Sequence, residues 1–312
     1  MRSIAQVLRS ASSMQFKPEG SSSASFSNAD LLDLVNLTPL MKLSSGRTAT
    51  TIGLIDGPVL TDHPDLSSTS IREIPGRSNG TCARATSIAC MHGTFVAGIL
   101  SARRGSKAPA ICPGCTLLVR PIFTETTGGI PSATPAELAT AVVDCIDAGA
   151  HVVNLSAAIA QPSSKGAQML EEALDYSAKR GVVVVAAAGN DGTIGSSTIT
   201  RHPWVIPVVA SDLQGRPIGY SNFSSSIGRR GLSAPGNGIT SLGSNHQPFI
   251  FSGTSAAAPF VTGAIALLQS IFPNASASAV NLAVTRRHIS RRATIVPLLL
   301  DAWSAYQQLA EN

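Results

Sequence analysis

Ser255, His92 and Asp56 have the side-chain types that nucleophilic acyl transfer requires. A hydroxyl is a weak nucleophile until a base takes its proton. The base must then be held in one tautomer, and the developing oxyanion needs fixed donors. Ser255 lies in Ser252-Gly253-Thr254-Ser255-Ala256-Ala257-Ala258-Pro259, at the head of a long apolar run. As plain structure it reads as a helix N-cap. As chemistry, its own N–H at a helix N-terminus would face an oxyanion. His92 opens His92-Gly93-Thr94-Phe95-Val96-Ala97-Gly98, where a helix start would disfavour a charged imidazole. Asp56 follows the apolar run 51–55 and precedes Gly57-Pro58, a setting that suits an Asx-turn or a carboxylate aimed into a cleft. Asn190 follows the apolar run 182–189 and reads as a turn residue or as an amide donor to an oxyanion.

These residues need a scaffold that brings distant segments together. Short apolar runs at 51–55, 117–122, 151–155, 182–188 and 205–210 predict buried strands. Amphipathic stretches at 93–102, 135–148 and 167–180 predict the helices between them, and the small, apolar run 255–272 predicts a core helix. Strands alternating with helices imply βαβ units, hence a doubly wound, mostly parallel α/β sheet with helices on both faces. In such a sheet, sites form at the carboxyl ends of strands, where Asp56 and Asn190 fall. Stretches 280–288 and 296–309 read as closing helices. Residues 1–47 are Ser-rich and read as a flexible arm, with a short docking helix starting at Asn28-Ala29-Asp30; residues 48–312 read as one domain.

Bulk composition excludes other classes. Charged residues make up 13% of the 312-residue chain and apolar ones 44%, which rules out a disordered polyampholyte. The net charge of +5 comes with arginine pairs scattered along the chain, so a nucleic-acid stripe is not expected. No uninterrupted apolar run is long enough to predict a membrane span, and the first residues lack the apolar core of a signal peptide, so a cytoplasmic location is expected. The five cysteines, Cys82, Cys90, Cys112, Cys115 and Cys145, admit free thiols, bridges or a zinc site; free thiols are the expectation for a reducing compartment.

The Asp-bearing strand end, His92-Gly93-Thr94-Phe95-Val96-Ala97-Gly98, Ala187-Ala188-Gly189-Asn190 and Gly253-Thr254-Ser255-Ala256-Ala257-Ala258-Pro259 occur in that chain order. Over residues 48–310 the chain thereby resembles the subtilisin-like serine proteases. The resemblance implies a serine endopeptidase with Asp56, His92 and Ser255 as triad and Asn190 as the oxyanion amide. It further implies a peptide or protein substrate bound in extended form along Ser156, Ala157 and Ala158, along Ala188 and Gly189, and along Gly128 and Gly129 on the opposite side. No cofactor is required. His63-Pro64-Asp65-Leu66 matches a family string in which the aspartate can bind calcium, but the rest of that loop is not recognisable.

The sequence departs from the usual pattern in two places. Asp56-Gly57-Pro58 replaces Asp-Ser/Thr-Gly, which resembles the subtilases that trim ribosomal peptide precursors, such as the cyanobactin-maturation proteases. Phe95 replaces a second histidine. Residues 199–202 fall near the expected specificity pocket, where Arg201 would favour an acidic side chain unless it is simply an exposed loop residue. Two other readings stay open: a ligase or macrocyclase using the same acyl-enzyme, and a non-catalytic peptide-binding pseudoprotease.

Overall fold

The computed structural model describes residues 27–66, 70–76, 81–125, 133–156, 164–285 and 294–311. Its centre is one sheet of eight strands: β1 (Thr51–Asp56), β2 (Ile71–Glu73), β3 (Thr116–Pro121), β4 (Val152–Leu155), β5 (Val183–Ala187), β6 (Val205–Ser211), β7 (Leu232–Pro235) and β10 (Leu298–Leu299). They lie in the order β10-β7-β6-β5-β4-β1-β3-β2, and every neighbouring pair is parallel. From β1 the chain passes to β2 at the sheet edge, returns to β3 beside β1, and then crosses to β4 on the other side of β1. Loops diverge there at the carboxyl edge and leave a crevice, the position at which open α/β sheets form sites. A separate antiparallel hairpin, β8 (Ile239–Leu242) with β9 (Pro248–Phe251), lies outside this sheet.

Helices cover both faces, as a parallel sheet demands. Strand alternation divides the core: Ile52 and Leu54 of β1 belong with Phe95, Phe260 and Ile265, whereas Ile55 belongs with Leu138, Val142 and Leu170. The first group includes helices α3 (Ile88–Ser101) and α8 (Thr254–Ile271); the second includes α4 (Pro135–Asp147) and α5 (Ser164–Arg180). Asp56 comes two residues after Leu54, so its carboxylate emerges on the α3 and α8 face. That parity is the local reason the carboxylate can meet groups from those two helices.

Helix α8 is apolar all round and long enough by composition to cross a membrane, yet 89% of it is buried inside the protein. It is the core helix that the sequence predicts. Helix α4 starts at a capping box, with Thr134 accepting from the Glu137 N–H and Glu137 accepting from the Thr134 N–H, and with Pro135 in the first turn.

Several sequence expectations need correction. The N-terminal segment holds two short described helices, α1 (Asn28–Leu34) under a Ser27–Asp30 capping box and α2 (Leu37–Leu43). Leu31, Val35, Leu37 and Leu40 share the α8 core cluster, so the short helix expected from Asn28 does dock on the domain, and a second helix that was not expected docks beside it. Helix α3 begins at Ile88, five residues before the expected start at Gly93. Its start signal is the polar cap Ser87, which accepts from the Cys90 N–H, and the first turn carries little apolar periodicity. Stretch 296–309 is not one helix: Leu298–Leu299 pairs with β7, and α10 (Ala302–Ala310) begins only after Asp301, whose side chain accepts from the Ser304 N–H. The expected free thiols at Cys82 and Cys90 are instead a disulfide, while Cys112, Cys115 and Cys145 are buried free thiols.

Candidate active site

The first question is how the chain brings an imidazole to Asp56. Gly57 follows β1 directly, and a Cβ there would overlap the carbonyl group of Ala89 in the first turn of α3. A Cβ on Gly93 would in turn overlap the carbonyl oxygens of Gly57 and Pro58. The β1 exit and α3 therefore cross backbone against backbone, a distance that only glycine permits. His92, adjacent to that crossing, is held beside the strand end.

The result is a continuous chain of hydrogen bonds. Asp56 Oδ1 lies 2.7 Å from His92 Nδ1, and His92 Nε2 lies 2.9 Å from Ser255 Oγ. A carboxylate only accepts, so Nδ1 carries the proton and donates to Asp56. Nε2 is then left to accept from the Ser255 hydroxyl. Asp56 is fully buried, and its Oδ1 also accepts from the Gly57 N–H at 2.6 Å. Its Oδ2 is buried without a hydrogen-bond partner among the described residues, and Gly57 has no hydroxyl to offer it.

His92 sits in the second turn of α3, not at its start, so the helix terminus does not govern its charge as the sequence reading expected. Burial opposes the imidazolium most strongly, but the Asp56 charge and its hydrogen bond outweigh that penalty. The histidine pKa is consequently raised above its ordinary value. Ser255 is the second residue of α8, and Gly253 holds the N-cap position without a side-chain bond. The capping alternative for Ser255 therefore falls, and its hydroxyl points to His92.

The groups expected to donate to an oxyanion, the Ser255 N–H and Asn190 Nδ2, meet at the same helix start. The Thr254 N–H donates to Asn190 Oδ1 at 2.9 Å, which anchors the Asn190 amide against α8. Among the described residues, neither Asn190 Nδ2 nor the Ser255 N–H has a hydrogen-bond acceptor. Gly189, with φ of 103°, makes the bend that swings Asn190 out from β5, and its N–H donates to Thr254 Oγ1 at 3.2 Å. Two donors beside a nucleophile can take a developing negative charge with no reorganisation.

Of the expected substrate-lining residues, Ser156 is buried just past β4 and accepts from Asn154 Nδ2 at 2.7 Å. Ala188 is also buried and prolongs the β5–β6 pairing through its N–H to Val208. Gly128, Gly129, Ala157 and Ala158 lie outside the described residues. Ile199 and Thr200 are buried, whereas Arg201 is exposed at the end of α6 (Thr198–Arg201).

Asp65, the aspartate of the string that resembles a calcium site, is engaged within the protein. Arg103 Nη2 bonds the Asp65 carboxylate at 3.1 Å, and the Arg103 N–H takes the Asp65 carbonyl. The guanidinium thus takes one carboxylate oxygen, and the backbone N–H takes the carbonyl oxygen. A cavity of about 210 Å³ at the carboxyl end of β3 is lined by Arg120, Pro121, Ile122, Thr134 and Glu137, and by none of the triad residues.

Sequence reasoning missed two neighbours of the site. Phe251 of β9 stands edge-on to His92, and Cys82–Cys90 ties the loop before α3 to the helix two residues short of His92. Cysteine spacing left the bridge open as one of several pairings. No local signal placed Phe251 beside a histidine 159 positions away in sequence.

Known proteins resemble this chain in sequence and in fold. The family model described as the subtilase family matches residues 47–301. The chain is 32% identical over 231 residues to a thermophilic serine proteinase of Bacillus sp. (strain AK1), covering 73% of this chain and 54% of that protein. It is 30% identical over 249 residues to subtilisin DY of Bacillus licheniformis, covering 78% of this chain and 83% of that one. Against the first two curated relatives it spans about half of their length, 54% and 48%. Among solved structures, a mutant of the protease domain of PatA superposes with TM-score 0.75 at 28% identity, covering 85% of this chain and 97% of that one. The prenylagaramide maturation protease PagA gives 0.75 at 26% identity, covering 88% and 98%. The PatG macrocyclase domain shares the fold at TM-score 0.77, with 20% identity over 89% of this chain and 96% of that one.

Proposed function

The chain belongs to the subtilase family, and from that premise we propose that it is a serine endopeptidase that cuts a precursor peptide through an acyl-enzyme. Ser255 Oγ attacks the scissile carbonyl while His92 Nε2 takes its proton. Asp56 holds the tautomer and stabilises the imidazolium that forms. The oxyanion accepts from the Ser255 N–H and from Asn190 Nδ2. His92 then protonates the leaving amine, and a water activated by the same imidazole releases the acyl group. Substrate pairs in extended form beside Ser156 and the segment around Gly189. The observation that carries the reading is the unbroken hydrogen-bond chain from Asp56 through His92 to Ser255.

The precursor-peptide preference rests on likeness to PagA and to the structure described as the patellamide maturation protease PatA, which aligns at 26% identity. A fluorophosphonate probe tests the chemistry: it should label the wild type and leave Ser255→Ala unlabelled. Absence of labelling in the wild type would favour a binding-only protein. Weighing the products from a linear peptide separates cleavage, which adds one water across the cut, from cyclisation.

A further inference from the structure

Besides Ser255, helix α8 carries three buried hydroxyl residues, Thr254, Thr262 and Ser270, spaced eight apart. Each meets a different strand. Thr254 Oγ1 accepts from the Gly189 N–H just beyond β5. Thr262 Oγ1 donates to Asn154 Oδ1 of β4 at 2.8 Å. Ser270 Oγ bonds Thr50 Oγ1 at 2.8 Å immediately before β1, and accepts from the Arg47 N–H at 3.2 Å. Strands β5, β4 and β1 are consecutive neighbours in the sheet, so the hydroxyls pin the helix at successive strands as it crosses.

The remaining contacts of the helix are apolar: small at Ala256, Ala257, Ala258, Gly263, Ala264 and Ala266, large at Phe260, Val261, Ile265, Leu267 and Leu268. The large side chains hold the helix in the core, but apolar contact is non-directional and fixes a fine rotation less sharply than a hydrogen bond does. A buried hydrogen bond is directional, and breaking it leaves a buried amide oxygen unpaired. The central pin has the most direct line to the nucleophile. Thr262 follows Ser255 by seven residues, about two turns, so both side chains leave the helix at nearly one azimuth. A rotation allowed at Thr262 would reach Ser255 almost undiminished. On the strand side, Asn154 is fully buried and its Nδ2 also holds Ser156 Oγ at 2.7 Å. One amide therefore references both the nucleophile helix and the edge where substrate would pair.

We infer that Thr262, through Asn154, is a positioning residue that sets Ser255 Oγ against His92. The inference rests on the proposed hydrolase reading. A displacement of the order of 1 Å far from the chemistry can cost about 100-fold in rate. Thr262→Val keeps shape and removes the hydroxyl, so its fluorophosphonate labelling rate should fall by about 10-fold or more. Thr262→Ser should label at close to the wild-type rate. Val284→Ala, a core truncation in α9 (Ala277–Thr285), serves as a comparator for lost stability alone and should label normally at a lowered Tm.

Wild-type-like labelling of a folded Thr262→Val, with Tm reduced as in the comparator, would overturn the inference. Should Thr262→Val fail to fold, the double variant Asn154→Leu/Thr262→Val removes both polar partners and relieves the orphaned amide. Slow labelling of the folded double variant supports the positioning role, and wild-type labelling overturns it. An unlabelled wild type would instead sink the hydrolase reading itself, so the two failures are distinguishable.

Discussion

The ring of Phe251 stands at 84° to the imidazole of His92, with ring centroids 5.1 Å apart. Hydrogen bonds at Nδ1 and Nε2 hold the imidazole at two points but leave rotation about the line between them. The perpendicular Phe251 ring restrains that rotation. Phe251 is itself packed 5.5 Å from Phe95 of α3 and 6.2 Å from Phe249, so the hairpin braces the helix and its histidine together. Removing a ring from such a cluster costs about 3–5 kcal/mol of stability. Phe251→Ala should lower both Tm and kcat/KM, while Phe251→Tyr should keep most of the activity. Equal kcat/KM in Phe251→Ala and wild type would remove the brace.

Proton linkage at His92 has a definite sign. The base works only when neutral, and its pKa is raised from the ordinary 6.5 because Asp56 outweighs burial. The acid limb of kcat/KM should therefore have its midpoint above 6.5. The stabilising interaction of the charged pair is fully present below 6.5 and is lost as pH rises through the folded-state value. Asp56→Asn should move the acid limb down and cut turnover by about 10⁴-fold, as loss of a tautomer-holding carboxylate does. A pH profile whose acid limb is unmoved in that variant would detach Asp56 from the base.

Asn190 tests the oxyanion donors. Loss of the corresponding amide donor in subtilisin costs about 10²–10³ in kcat, and that borrowed figure sets the expectation for Asn190→Leu. Because the Asn190 Oδ1 bond to the Thr254 N–H is also lost, Tm should fall modestly. Turnover equal to wild type would take Asn190 out of the site.

The Cys82–Cys90 disulfide closes a loop with a sequence separation of 8. The same loop wraps the Glu125 carboxylate, which accepts from the Ala83 and Arg84 N–H groups and from the Ser87 hydroxyl. By loop-closure entropy the bridge contributes about 2–3 kcal/mol. Reductant should therefore lower Tm in the wild type and leave Cys82→Ser/Cys90→Ser unaffected. A Tm insensitive to reductant in both would show that the bridge does not contribute. Disulfides are uncommon in a reducing cytoplasm. Mass analysis of this pair in protein taken from cells thus also tests the cytoplasmic placement expected from the N-terminal residues.

Much of the fold was legible because its signals are local. The apolar runs that became β1, β3, β4, β5 and β6 were visible as short buried stretches bounded by polar or turn residues, and α8 by its long, mostly apolar run. Strands β7, β8 and β9 were not. They are four residues each, carry serine, threonine or proline, and are held by neighbours in space. The start of α3 was misplaced because a cap such as Ser87 looks like any loop serine until the N–H it accepts is known.

The identities of Asp56, His92, Ser255 and Asn190, and the alternation that makes a parallel sheet, belong to the sequence, since each is written in a stretch of a few consecutive residues. Folding decided what no short stretch encodes. It placed Phe251 against His92, joined Thr262 to Asn154 across 108 positions, left Asp56 Oδ2 without a partner among the described residues and paired Cys82 with Cys90. Those outcomes depend on which face of which helix lands on which strand. That is set by the packing of the whole core and by the backbone crossing at Gly57 and Gly93, where a single added carbon would hold the histidine away from its carboxylate.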